Sequence, residues 1–461
     1  MRKKLLPYIS GLLLLAMVSS CKKFVEVNPK GALLPQTYTT YRDLLNNGDL
    51  FTASYGSTEY GTDDIDMDVP ELADGMGTYV TRYQWAKVFY IDATTYDFDW
   101  NNLYKQVYTA NIVINEIGNA TAGTTAQKNE LLGEALVHRA FSYWCLVNQY
   151  GKQYDPATAA SDLGVPLRLQ SELESSFPRA TVQAVYDLIV SDLKKAIPFL
   201  PAQQTVTNVY PSKSAAYAML ARTYLFMGNY PASLQYADSS LAISSTLLDL
   251  QTYSSLSAVP LTASNPEILL RKNNSAIQYY SSIRLSSELL ALLDTTDLRY
   301  TLYTDLGSNG NTYPSFANGR VYLRNSFITG ETANIGLGVP EMLLTRAECQ
   351  ARTSDLSGAM TTLNTLRIKR FTTANYTPLT ASTAAEALQD ALAERRRELM
   401  FGGMRWFDLK RLNKESAFAK TLTHTLSGAT YKLAPNSNNY LFPIAAGIIT
   451  MNPEITQNPR D

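Results

Sequence analysis

The chain of 461 residues is predicted to be mostly α, a helical scaffold carrying long irregular segments. Three observations predict it. Apolar residues recur at spacings of three and four along most of the sequence, the period of a helix with one buried face. A pattern of small and large residues on paired helices occurs twice in one register. Two stretches, 51–99 and 247–338, break the periodicity and gather Gly, Asp, Asn, Ser, Thr and Tyr, the composition of functional loops. The hydrophobic fraction of 45% supplies a large core. A formal net charge of −1 leaves no basic excess, which argues against a nucleic-acid partner.

The first segment is a targeting signal. Arg2, Lys3 and Lys4 precede an apolar run from Ile9 to Val18, too short to span a bilayer as a helix, and Val18-Ser19-Ser20 leads directly into Cys21. A cysteine there offers a thiol for a diacylglyceryl group, so the stretch resembles a bacterial lipoprotein signal. Val18 and Ser20 depart mildly from the usual Leu and Gly or Ala. Residues 1–20 are expected to be removed, leaving 21–461 as one domain held to a membrane surface by lipid on Cys21.

Helices follow in order. Trp100 to Ile117 carries Leu103, Val107, Ala110, Ile114 and Ile117 on one stripe, with Trp100 assigned to the core. Gln127 to Tyr150 is closed by Gly151 as a C′ residue. Thr181 to Ile197 opens on a hydroxyl N-cap and stops before Pro198. Ser212 to Met227 and Pro231 to Ile243 form a pair. Tyr217, Leu220, Ala221 and Tyr224 lie on its first helix, and Ser233, Ala237 and Ser240 on its second, which matches the tetratricopeptide pattern. The pattern recurs at Leu343, Ala347, Ala359, Leu363 and Leu366. Cys145 and Cys349 sit in helical stretches far apart. A disulfide between them is open, but two buried thiols are the expectation, and with His138, His424 and no CxxC there is no zinc-type ligand pattern.

The irregular stretches hold many of the 30 tyrosines. The first contains Tyr55, Tyr60, Tyr79, Tyr83, Trp85, Tyr90 and Tyr96; the second Tyr279, Tyr280, Tyr300, Tyr303, Tyr313, Phe316 and Tyr322. Tyrosine joins a flat apolar face to a hydroxyl, which suits sugars as well as helix packing. In YVTRYQW, residues 79–85, Tyr79, Tyr83 and Trp85 are read as alternating on a strand beside Arg82. The run Asp63, Asp64, Asp66 and Asp68 lacks EF-hand spacing and is read as a solvated loop. In ERRRE, residues 394–398, Glu394 and Glu398 share a helical face, so ion pairs with neighbouring helices are expected, with Trp406 packing in the same region. No GxSxG, P-loop or HExxH occurs, no catalytic set can be assembled by inspection, and no cofactor is implied.

Several blocks in order resemble the SusD/RagB family of Bacteroidota nutrient-binding lipoproteins. They are CKKFVEVNPKG from Cys21, GVPL at 164–167, PRATVQAVYDLIVSDLKKAIPFLP at 178–201, TRAECQAR at 345–352, ERRRELMFGGMRWFDLKRL at 394–412 and LFPIAAGIITMNPEITQNPRD at 441–461. The family commonly has an acidic residue where Gly402 stands. Its surface-displayed members often carry acidic residues right after the cysteine, where this chain has Lys22 and Lys23. The resemblance implies an interrupted tetratricopeptide-like (SusD-like) scaffold whose one face packs on a SusC-type TonB-dependent outer-membrane barrel. It also implies a separate loop-built surface that captures oligosaccharide without turnover, on the cell exterior. Peptide binding, or a tetratricopeptide scaffold lipoprotein with no ligand, are the alternatives. The ligand-binding residues it implies, by region, are Tyr79, Arg82, Tyr83, Trp85, Tyr313, Phe316, Asn318 and Arg320, since sugar capture needs rings for the C–H face and polar groups for the hydroxyls.

Overall fold

The computed structural model describes residues 35–461 apart from positions 54, 68–76, 91, 93, 171–175, 206, 256–257, 275–283, 307–318 and 323–333. Cys21, Tyr313, Phe316 and Asn318 lie outside the described residues, and the compact unit runs from Thr37 to Asp461. Among the described residues no helix is long and apolar enough to cross a membrane.

The helices, in chain order, are α1 (Tyr38–Leu45), α2 (Gly77–Tyr83), α3 (Phe98–Glu116), α4 (Thr125–Tyr150), α5 (Val182–Ala196), α6 (Lys213–Phe226) and α7 (Tyr230–Ile243). After the second irregular stretch begins come α8 (Ser287–Leu292), α9 (Leu298–Tyr303), α10 (Val339–Arg352), α11 (Leu356–Arg367), α12 (Ala384–Glu398), α13 (Met404–Leu412) and α14 (Ala446–Met451). Side chains of Asp97, Thr124, Thr181, Ser212, Asn229 and Thr383 each accept the N–H three residues on, satisfying a donor that the first turn leaves unpaired. Every residue from Gly133 to Tyr150 is buried, so α4 is enclosed on all sides and is the axis of the core. Trp144 at its middle meets Phe226 and Phe407 edge-on at 5.1 and 5.3 Å.

The scaffold is built by neighbours in sequence: α3 packs on α4, α4 on α5, α6 on α7 and α10 on both α11 and α12. In the α6–α7 pair small residues bring the backbones together. Ser233 Oγ donates to Ala221 O at 2.8 Å and Ser240 Oγ to Ser214 O at 2.9 Å. The second repeat is there too, with Ala347, Ala359, Leu363 and Leu366 buried between α10 and α11. Helix α7 also packs on α10, so the two repeats are neighbours in space across the sequence that interrupts them. Cys145 and Cys349 are buried free thiols, and Trp100 is in the core.

Two local readings are corrected. Gly151 caps α4 with φ −103°, not in the left-handed region; a glycine is needed because a Cβ would stand 2.7 Å from Val147 O. The stretches 51–99 and 247–338 are not irregular throughout. They contain α2, α8, α9, a 3₁₀ turn at Gly56–Gly61 and a four-stranded antiparallel sheet. In that sheet Ile65–Asp66 pairs with Arg284–Leu285, which pairs with Arg320–Tyr322, which pairs with Thr304–Leu306.

Candidate functional site

That sheet joins the two irregular stretches into one layer. One strand comes from the first and three from the second. Beneath it a small core gathers Tyr60, Ile65, Met67, Tyr83, Leu285, Leu289, Met400 and Phe401, with Tyr79, Tyr300, Tyr303 and Tyr431 packed half-exposed around it. The segment 307–318, which carries three of the implied ligand residues, connects Leu306 of this sheet to Gly319 beside Arg320.

Charge fastens the layer to the scaffold. Asp63 is buried and accepts from Arg405 Nε at 2.7 Å and Nη2 at 2.8 Å, and from Lys420 Nζ at 2.5 Å. Asp64, also buried, accepts from Arg396 Nε at 2.6 Å. Burial raises the Asp63 carboxyl's pKa, but the Arg405, Arg396 and Lys420 cations outweigh it and hold it well below the usual range. Burial and then Asp64 push Glu59 up to about 8. The reading of a solvated Asp run is therefore corrected for Asp63 and Asp64. The second stretch is fastened on the same helix. Arg299 of α9 pairs with Glu394 and with Glu398 of α12, each at 2.7 Å. Glu394 also receives Arg367 at 2.6 Å and Arg397 at 2.7 Å, and Glu398 receives Arg370 at 2.7 Å. These are the ion pairs the ERRRE spacing predicts. Among the described residues no group of His, Cys, Asp and Glu is arranged to hold a metal ion.

The segment 79–85 is not a strand. It is the end of α2 and the turn after it, with Arg82, Tyr83 and Trp85 buried and Tyr79, Val80, Thr81 and Gln84 half-buried. Tyr83 and Trp85 are buried, and both rings stack on His424, at 3.9 and 4.1 Å between centroids. Two near-parallel rings that close cannot share one face, so the imidazole lies between them. Trp85 takes φ +50° and donates Nε1–H to Gly61 O at 3.0 Å. Burial holds His424 below the ordinary imidazole range. Its Nδ1 lies 2.7 Å from Tyr83 O and its Nε2 2.9 Å from Thr62 O, and a neutral ring donates to only one of these carbonyls. Arg82 is buried beneath the Phe442 ring at 5.3 Å; burial opposes its charge, but Asp99 and Asp97 keep it. These three residues, expected at a ligand surface, are packing residues in this structure.

Tyr79 is different. It is half-exposed, resting on the Tyr60 ring at 4.5 Å. Of the seven aromatic residues grouped in the first stretch, only Tyr79 and Tyr96 keep ring surface at solvent. Arg320 is half-buried and ties two elements together. Its guanidinium lies 3.7 Å from the Tyr300 ring centroid and donates to Tyr300 O and Thr304 O, both at 2.9 Å. Sequence reasoning missed His424, whose place in the alternating strand Leu422–Leu426 was the available signal, and Tyr431, which takes a hydrogen bond from Gln84 Nε2 at 3.1 Å.

The layer also bounds a cavity of about 150 Å³ against the scaffold, lined by Tyr303, Asn334, Glu398, Phe401 and Gly402. Gly403, next to it, has φ +75°, and a Cβ there would stand 2.6 Å from the Tyr55 ring, so only glycine fits. At Gly402 a Cβ would meet only the Leu399 carbonyl, its O at 3.1 Å and its C at 3.9 Å. The acidic residue common in related sequences is therefore not needed for this turn.

Comparison with known proteins agrees with this architecture. Residues 24–225 match the family described as starch-binding, associating with the outer membrane, and residues 339–460 match the family described as the SusD family. The chain is 24% identical over 236 residues to the SusD-like protein P25 of Formosa agariphila, covering 47% of this chain and 42% of that one. It is 23% identical over 240 residues to the SusD-like protein P38 of the same organism, covering 48% and 42%. The matches thus span under half the length of these curated relatives. A SusD superfamily protein of Bacteroides thetaiotaomicron superposes with a TM-score of 0.76 at 23% identity, over 92% of this chain and 100% of that one. Surface glycan-binding protein A of Bacteroides uniformis superposes with a TM-score of 0.73 at 18% identity, over 92% and 99%. These likenesses establish the fold. With the family matches over both ends of the unit, and the repeat scaffold bearing a loop-built layer, they show that the chain belongs to the SusD/RagB family.

Proposed function

We propose that this protein captures oligosaccharide on the loop-built layer, without turnover, and passes it to a SusC-type TonB-dependent barrel in the outer membrane. In this reading a lipid on Cys21 tethers the chain with its layer facing the cell exterior. The starch-binding description of its family and the glycan-binding name of one structural relative support the ligand class. The observation that carries the reading is the convergence of the two aromatic stretches on one sheet, with Tyr79, Tyr300 and Tyr303 half-exposed around it. A tyrosine ring at such a rim offers a flat apolar face to the C–H side of a pyranose, while neighbouring polar groups satisfy its hydroxyls. Tyr79 is the ring of the first stretch assigned to this task. Tyr313, Phe316, Asn318 and Arg320 are assigned to it from the second, with Arg320 also holding the sheet in place.

A glycan array with residues 22–461, followed by calorimetry on the best binder, tests the ligand class. Tyr79→Ala combined with Tyr313→Ala is expected to weaken that binding at least tenfold, about 1.4 kcal/mol, with helix content unchanged. Full affinity in the double variant removes the assigned site. Release of smaller sugars during incubation refutes capture without turnover, and resistance to protease on intact cells refutes the exterior placement.

A further inference from the structure

A second cavity, of about 90 Å³, opens beside the C-terminal end of α4, away from the residues assigned above. Lys152, Gln153, Lys410, Asn413, Lys414 and Tyr440 line it, and no acidic side chain does. Lys410 is 4% exposed. Its Nζ donates to Asn148 O at 2.5 Å and Gly151 O at 3.0 Å, the carbonyls that end α4. An ammonium has three N–H donors, so one remains. The helix end supplies roughly half a negative charge, and burial brings the Lys410 ammonium down to about 7, so an anion in the cavity favours its charged form. Lys152 and Lys414 are each matched by one carboxylate outside the cavity, Asp162 at 2.7 Å and Asp155 at 3.2 Å.

Two further donors belong to the same wall. The Tyr440 hydroxyl and the Asn413 side-chain amide are in residues 4% and 3% exposed, and a hydrogen bond from Asn413 to Tyr440 leaves the hydroxyl proton and the second amide proton without an acceptor in the protein. Gln153 Oε1 is likewise unpaired, its amide fixed by Nε2 donating to Phe226 O at 2.7 Å. A buried polar group without a partner costs about 1–3 kcal/mol, so a cavity walled by Gln153 Oε1 and these spare donor protons suits something polar. Lys410, Asn413 and Tyr440 are cationic or neutral, and none of the three is paired with a carboxylate. We propose that this cavity is a binding site for a small carboxylate, which takes the remaining Lys410 proton together with those of Asn413 and Tyr440. A hydroxyl neighbouring that carboxylate then donates to Gln153 Oε1. The volume is that of about three waters, so the charged group enters and the rest of a larger acid stays outside. This site is independent of the oligosaccharide reading.

Titration of residues 22–461 with sodium acetate and with sodium glucuronate, at ionic strength held by sodium chloride, tests it by calorimetry and amide chemical shifts. Glucose serves as the neutral control. Saturable binding of both acids and none of glucose is expected. Asn413→Asp, which sets a carboxylate on the wall, is expected to weaken acetate at least tenfold. Tyr440→Phe keeps the ring against Trp406, 4.8 Å between centroids, and is expected to weaken it three- to tenfold. Should Asn413→Asp fail to fold, Tyr440→Phe and Lys414→Met carry the test. Absence of saturation with either acid means the cavity holds water alone and overturns the proposal. So does unchanged affinity in the folded variants.

Discussion

Trp85→Ala separates a buried stack from a ligand platform. The side chain is 3% exposed, stacked on His424, and donates to the Gly61 carbonyl. A tryptophan buries about 150–250 Å², which at about 25 cal/mol per Å² is about 4–6 kcal/mol of burial. Truncations of this kind cost about 3–5 kcal/mol. The orphaned Gly61 carbonyl adds about 1 kcal/mol or more. A loss of about 5 kcal/mol is therefore expected. At about 2.1 cal/mol/K per residue the unfolding entropy of this chain is about 1 kcal/mol/K, so the melting temperature should fall by about 5 K. Trp85→Phe keeps the stack and loses only the Nε1 hydrogen bond, for a fall of about 1–2 K. Differential scanning calorimetry of both variants, with near-ultraviolet circular dichroism, reads this directly. If Trp85→Ala melts within about 1 K of the parent yet abolishes glycan binding, the ring faces ligand and the buried placement is wrong.

Two further substitutions test the charges. Glu394 is buried among Arg299, Arg367 and Arg397; burial raises its pKa, but those three cations hold it far below the usual range. Glu394→Gln should cost about 3–5 kcal/mol near neutrality by urea unfolding. Because the folded pKa is depressed, that advantage is present above about pH 4.5 and shrinks as the pH falls below it; a difference constant down to pH 3 refutes the assignment. Lys272 is buried, its Nζ 3.0 Å from His138 Nδ1, with no ion pair to a carboxylate among the described residues, and burial brings it down to about 7. Between about pH 7 and 10 the unfolded chain holds a proton the folded chain has released, so stability rises with pH there, by at most about 1.4 kcal/mol per unit. Lys272→Met should lack that rise, and parallel pH profiles for parent and variant would sink the reasoning.

The scaffold was legible because its signals are local. Thr181 and Ser212 cap helices within three residues of themselves, and Ser233 and Ser240 mark a close helix pair by spacing alone. Glu394 and Glu398 sit one turn apart, so a shared face followed from position, although their partners did not. The layer was less legible because its determinants are distant. Tyr79, Val80, Thr81 and Tyr83 favour strands by type, yet packing on Tyr60 and His424 sets them in a helix and its turn. Asp63 and Asp64 looked solvated because nothing near them in sequence is basic; their arginines lie in α12 and α13. His424 showed only as a histidine among threonines, since the two rings that enclose it come from a segment far upstream.

The fastening of both stretches to α12 also sets an order of events. Asp64 and the arginine that neutralises it, Arg396, are 332 residues apart. At about 5–20 residues per second a ribosome takes roughly 15–70 s to cover that distance. Throughout that interval the Asp63–Asp64 pair has been synthesised, and for about its last third Arg299 as well, but the helix that pairs them does not exist. The repeat helices α6 and α7 can pair while the layer waits, and the layer is completed by almost the last fifth of the chain to be made.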